Sequence, residues 1–276
     1  MKRILALLSM LFVLSPVLAQ PVASSPGTSL PPIPFPLRSE STSPLTITQG
    51  NCFGCAGYAG MIASGYITKI TSQWTVPTVT CQPGLTDDQE LGFEIGVGGV
   101  DSATTYSTGV IIEALIYCGE GTSTPYVNTM IFYESAVTGG AAAWSLPFVL
   151  TSGHKLSVTI TLAPSTGKMT ATLKDATDGQ SMSFTTLMSY WGVDYNYVNQ
   201  AVWGVYRGAP DLAKFNPSIK FTKCDVVVSG ATHPISWISN LYEFTMVDNA
   251  GTVTQATPSA LNGAGTGFSV TFASST

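Results

Sequence analysis

A chain of 276 residues with 11 basic and 16 acidic side chains, a net charge of −5, has no basic footprint, which excludes nucleic acid as a natural partner. Charged residues are only 10% of it, against about 25% in an ordinary soluble protein. With so few basic groups, little positive self-repulsion builds up once the acids are protonated, which suits an acidic exterior.

Lys2 and Arg3 precede an apolar run from Ile4 to Leu14, and Val17-Leu-Ala19 offers small residues before Gln20. This pattern predicts a secretory signal peptide over residues 1–19. The run falls short of the roughly 20 residues that a membrane span requires, so a secreted protein without membrane attachment is expected after cleavage. Residues 20–44 are rich in Pro, Ser and Thr, with Pro31-Pro-Ile-Pro-Phe-Pro36 at their centre. They read as an extended linker or a removable propeptide. Residues 45–276 fit one β domain.

Short alternating runs separated by turn residues dominate that domain. Predicted strands cover Tyr66–Val76, Gly92–Gly99, Ser107–Tyr117, Val127–Val137, Leu156–Leu162, Met169–Leu173, Ser181–Phe184, Ala201–Tyr206, Ile219–Val228, Ile235–Val247 and Gly267–Phe272. Leu156, Val158, Ile160 and Leu162 alternate with Ser157, Thr159 and Thr161, one face inward and one outward. Asp178-Gly179 predicts a hairpin turn, and Thr186–Tyr190 a short turn. Regularly spaced strands with Gly-, Ser- and Thr-rich joints predict an all-β, antiparallel two-sheet sandwich.

Five cysteines, Cys52, Cys55, Cys81, Cys118 and Cys224, follow the leader, and export makes disulfides plausible while leaving one thiol over. Cys52-Phe-Gly-Cys55 has knuckle spacing, but no second pair or nearby His completes a four-ligand set. A local disulfide or buried thiols are expected, with no metal and no cofactor.

Nucleophilic triads need a histidine, and His154 and His233 both sit beside turn residues with no Gly-x-Ser-x-Gly elbow in the chain. Carboxylates remain. Most lie in turn-like contexts, but Glu94, Glu113 and Glu134 interrupt apolar strands. Desolvation there raises a carboxyl pKa and suits it to acid–base work in acidic medium.

Four segments, in order, resemble the glutamic peptidase (eqolisin) family of secreted acid endopeptidases. They are Gly65–Thr78, which contains Gln-Trp-Thr-Val-Pro; Ile95-Gly-Val-Gly-Gly99 with Ser107-Thr-Gly-Val110; Tyr133-Glu134; and Met246–Leu261 with Gly267–Phe272. Ala201-Val-Trp-Gly-Val205 is a weaker echo of the family's Ala-Glu-Trp-Ile-Val. The resemblance implies a concanavalin-like sandwich with a cleft for a polypeptide substrate. It also implies a catalytic pair: a glutamate that activates water and a glutamine whose amide steadies the developing oxyanion.

By that resemblance Glu134 is the general base. The glutamine's place falls on Ser107, a family tryptophan on Glu94, and the glutamate of Ala-Glu-Trp on Val202. Activity would then run through Ser107 by way of a water, through Glu94 as a second carboxyl sharing a proton with Glu134, or through the amide of Gln73. Tyr133, Trp74 and Trp203, with Phe132, would line the substrate cleft. Glu113 shares strand parity with Ser107 and is expected to be structural. The alternative is a catalytically silent extracellular sandwich that binds or builds.

Overall fold

The computed structural model describes residues 46–275 except 64, 86–87, 103–104, 120–124, 136–139, 147, 149, 189–197, 208 and 210. Within it, 46, 99–102, 105–113, 126–135 and 140–146 are described by their backbone alone. The predicted signal and Pro-rich segments lie outside the described residues.

Two sheets face each other. The first runs laterally as β1 (Thr46–Cys52), β17 (Asn240–Val247), β2 (Cys55–Met61), β12 (Gln200–Tyr206), β5 (Gln89–Ser102), β6 (Thr105–Cys118), β7 (Tyr126–Ser135) and β8 (Gly140–Leu146). The second is β16 (Ala231–Pro234), β15 (Ile219–Val228), β3 (Ile67–Thr75), β9 (Lys155–Ala163), β10 (Lys168–Asp175) and β11 (Ser181–Leu187). Pairing is antiparallel except between β1 and β17, and where β13 (Asp211–Leu212) runs beside β5. Strand β15 joins the two sheets. Its first residues pair with β19 (Phe268–Phe272), which continues through β18 (Thr254–Pro258) to β17. A separate pair, β4 (Thr78–Thr80) with β14 (Lys214–Asn216), closes one end.

The alternation read from Leu156 to Leu162 does what it predicts. All four apolar side chains are buried, while Thr170 and Thr185, and Thr172 and Ser183, exchange hydroxyl hydrogen bonds at 3.0 and 2.8 Å on the outer face of β10–β11. Gly179 takes the left-handed backbone of the predicted Asp-Gly turn, at φ 82°. Two expectations are corrected. Ile235–Trp237 forms a 3-10 turn after Pro234, so the strand predicted from Ile235 starts only at Asn240. Thr186 and Leu187 complete β11 instead of turning.

Between the sheets Trp74 stacks on Phe93 (5.7 Å) and tilts against Phe221 (5.8 Å), and Phe221 stacks on Phe268 (5.0 Å). Disulfides Cys52–Cys55 and Cys81–Cys118 staple the β1–β2 turn and the end of β6, leaving Cys224 as a buried thiol.

Candidate active site

Strand β5 divides the first sheet into two faces. Leu91, Phe93, Ile95 and Val97 point into the core, so Gly92, Glu94, Gly96 and Gly98 occupy the other face. Register carries that outer face sideways. Glu94 stands opposite Gly204 on β12 and Glu113 on β6, and Glu113 opposite Met130 on β7. Gly96 stands opposite Val202 and Ile111, and Gly98 opposite Gln200. On β7, Glu134 pairs with Gly109 of β6.

Glu94 is nine-tenths buried and makes no hydrogen bond to a described residue. Its neighbour across β12, Gly204, has no side chain, and a Cβ there would strike the Ala56 carbonyl. No Lys, Arg or His occurs in β2, β5, β6, β7, β8 or β12. With no basic residue on these strands, burial pushes the Glu94 carboxyl up to about 7.

The expected proton sharing between Glu94 and Glu134 does not fit this register. The two are separated by two strand spacings and four residues of rise, about 16 Å at the backbone, and the acid directly opposite Glu94 is Glu113. The parity argument joining Ser107 to Glu113 is also broken. Val97 pairs with Val110 but Gly99 with Ser107, so β6 holds one extra residue there. That bulge ends simple alternation and sets Ser107 opposite Gly99, on the strand parity of Val97 and not of Glu94.

Trp74 and Trp203, expected in the cleft, are core residues with 1% and 0% exposure. Trp203 lies in register with Ile95 and Tyr58, on the face turned to the second sheet, and its indole N–H donates to the Thr71 carbonyl at 3.0 Å. Large apolar rings go where they lose most water-exposed surface. Gln73 sits on β3 between the buried Ser72 and Trp74, on the opposite side of the second sheet. It is therefore removed from the Glu134 face. The side chains of Tyr133, Phe132, Glu134, Ser107 and Glu113 lie outside the described residues.

One residue was missed. Gln200 begins β12 with the same parity as Val202, and its side-chain nitrogen is buried without a hydrogen-bond partner. The signal available in the sequence was a polar amide two residues before the position where the family carries a glutamate.

A possible cation cluster lies elsewhere: His154, Asp175 and Asp178 bring ligand atoms within 4.8 Å of one another. His154 Nδ1 already bonds Asp175 Oδ2 at 2.7 Å, while Asp175 Oδ1 accepts the Thr177 and Asp178 amides. The group works as a turn clasp between the loop before β9 and the β10–β11 hairpin.

Comparison with known proteins agrees with this architecture. No curated protein matches the chain by sequence. Among solved structures it is similar to scytalido-glutamic peptidase bound to a transition state analog inhibitor, at 15% identity and a TM-score of 0.57, covering 80% of this chain and 98% of that one. It is also similar to SCP-B, an eqolisin peptidase in complex with the tripeptide Ala-Ile-His, at 17% identity and a TM-score of 0.51 over 80% and 98% of the two chains. The Peptidase A4 family model matches residues 55–266, a span that takes in the second sheet, the first sheet from β2 onward and the resembling segments as far as Met246–Leu261, and the chain belongs to that family, the glutamic peptidases.

Proposed function

We propose that this protein is a secreted endopeptidase that hydrolyses extended polypeptides in acidic surroundings, with Glu134 as the general base. Family membership carries the reading, since the matched residues 55–266 include β17, β2, β12, β5, β6, β7 and β8 of the sheet that carries Glu134. Glu134 takes a proton from water, the hydroxide adds to the peptide carbonyl carbon, and the carbonyl oxygen gains negative charge. Collapse breaks the C–N bond, and the same proton passes to the leaving amine. Ser107, in the glutamine's place, has the strand parity of Val97 and so lies off the Glu134 face. Glu94, neutral below about pH 7, adds no charge to the face under acidic conditions.

A specific observation favours a second reading, a silent binding scaffold. Val202 and Ser107 replace two polar groups of the family pattern in the first sheet. One assay separates the two readings. The chain lacking residues 1–44 is offered a denatured protein across pH 2–7, beside Glu134→Gln. Cleavage in acid that disappears in the variant supports the peptidase. A folded protein that cuts nothing at any pH leaves the scaffold.

A further inference from the structure

We propose that the exposed Trp237–His233 stack is the docking surface for the chain's own Pro31–Pro36 segment, which packs across the edge where the chain passes from β16 to β17. The surface stands apart from the peptidase chemistry, since five strand spacings separate β17 from β7.

Among the tryptophans with described side chains, Trp237 alone is left out of the core. Trp74 and Trp203 are enclosed, whereas Trp237 is 45% exposed. Large aromatic rings normally go where they lose most contact with water, so this position needs a cause. The 3-10 turn Ile235–Trp237 supplies one. Ile235 and Ile238 are both buried, and the Ile238 N–H donates to the Ile235 carbonyl at 3.1 Å. The Ser236 N–H donates to the Gly265 carbonyl at 3.1 Å. With the residues on both sides fixed, the turn holds the indole outward. The His233 ring backs it, stacked with centroids 3.8 Å apart and planes at 16°. Residues 231–240 contain no Asp, Glu, Lys or Arg, so the platform is apolar.

The chain itself brings an occupant to this edge. Residues 235–239 carry it from β16, at the edge of the second sheet, to β17 in the first. Thr46 opens β1 in parallel register with Asn240. The two strands run the same way, so the residues before Thr46 come in from the side of the turn. Trp237 lies three residues before Asn240, about 11 Å at most, and β1 is one strand spacing of about 4.8 Å away. Pro36 lies ten residues before Thr46, and ten residues in polyproline form span about 31 Å. Pro31-Pro-Ile-Pro-Phe-Pro36 therefore reaches the indole with chain to spare. Four of its six residues are proline and none is charged. Proline locks φ at about −65°, so such a run has little freedom left to lose, and Pro-rich segments dock on aromatic surfaces for that reason. Phe53 and Val253, also exposed, lie beyond the far ends of β1 and β17, and Leu187 ends β11 on the opposite edge of the second sheet. Among the described residues β1 and β16 each pair on one side only, and a segment packed over that edge shields it from pairing with other chains.

The test uses the chain from Gln20 onward at pH 8, outside the acid range proposed for its activity. It reads cutting by trypsin after Arg38, the one basic residue between Gln20 and Thr68. Trypsin needs the residues on both sides of the bond free, so docking of Pro31–Pro36 slows the cut. A segment docked nine-tenths of the time is cut about tenfold more slowly than a free one. Phe35→Ser and Trp237→Ala should each restore the faster rate. Phe35 precedes the β domain, so its variant decides the matter even if Trp237→Ala fails to fold. In protein labelled with 5-fluorotryptophan, the fluorine resonance assigned by Trp237→Phe should move in Phe35→Ser while that of Trp203 stays. Equal cut rates in wild type and Phe35→Ser, or a Trp237 resonance that ignores Phe35→Ser, overturn the proposal. So does a dimer that Trp237→Ala dissolves and Phe35→Ser leaves intact, which would seat a second copy on the indole. A protein inert toward peptides at every pH removes the peptidase reading and leaves these results standing.

Discussion

Replacing Glu94 by glutamine should make the protein more stable near neutrality and leave it unchanged in acid. Glu94 is buried on a face whose strands carry no basic residue, and its carboxyl is raised from 4.5 to about 7 by desolvation. The folded state therefore holds that proton more tightly than the unfolded chain does. The stabilisation is complete below the unfolded value and is lost as pH rises through about 7. At about 1.4 kcal/mol for each tenfold in proton affinity, the swing is about 3 kcal/mol. Glutamine keeps the shape and never ionises. Denaturant unfolding of both proteins at pH 4.5 and pH 8.5 isolates the effect, because every other titrating group cancels in the difference. Glu94→Gln should match wild type at pH 4.5 within about 1 kcal/mol and exceed it by about 3 kcal/mol at pH 8.5. An equal difference at the two pH values would refute the argument and mean that Glu94 is solvated or paired in the folded protein.

Trp203→Ala should cost about 3–5 kcal/mol of stability, the usual toll for truncating a buried aromatic, measured by denaturant midpoint. A loss below about 1 kcal/mol, accompanied by a raised KM, would return Trp203 to the cleft. Asp175→Asn should destabilise by about 1–3 kcal/mol at neutral pH, because it weakens the His154 hydrogen bond and the acceptor for two turn amides. Burial pushes the Asp175 carboxyl up, but its bonds to His154, Thr177 and Asp178 outweigh that and leave it below the ordinary range. The clasp therefore holds above the unfolded value of about 3.9 and weakens as pH falls through the lower folded value. The gap in Tm between wild type and Asp175→Asn should close toward pH 2, and a gap that persists there would contradict the assignment.

The strands that alternate cleanly were readable in advance. In β9 and β10, Leu, Val and Ile interleave with Thr and Ser, and this pattern predicts both the element and its buried face. The local Cys52–Cys55 bridge and the ordered family segments were equally legible, since spacing along the chain carries them. Strands β2 and β8 escaped notice because Cys-Ala-Gly-Tyr-Ala-Gly-Met and Gly-Ala-Ala-Ala-Trp-Ser-Leu contain too few branched residues to show a period.

Chain chemistry thus determined the class of fold, the family, and which acids lay within strands. It could not determine which of two apolar faces a given strand turns inward. Trp203 and Val202 are adjacent, and only the opposing sheet makes one of them core. Nor could it determine register, because a single extra residue at Thr108–Gly109 changes the partners of Ser107 without altering any local preference. Pairings between distant strands placed Glu94 across from Glu113 and Glu134 across from Gly109. Such pairings follow from the packing of the whole sheet, which no short stretch of sequence encodes.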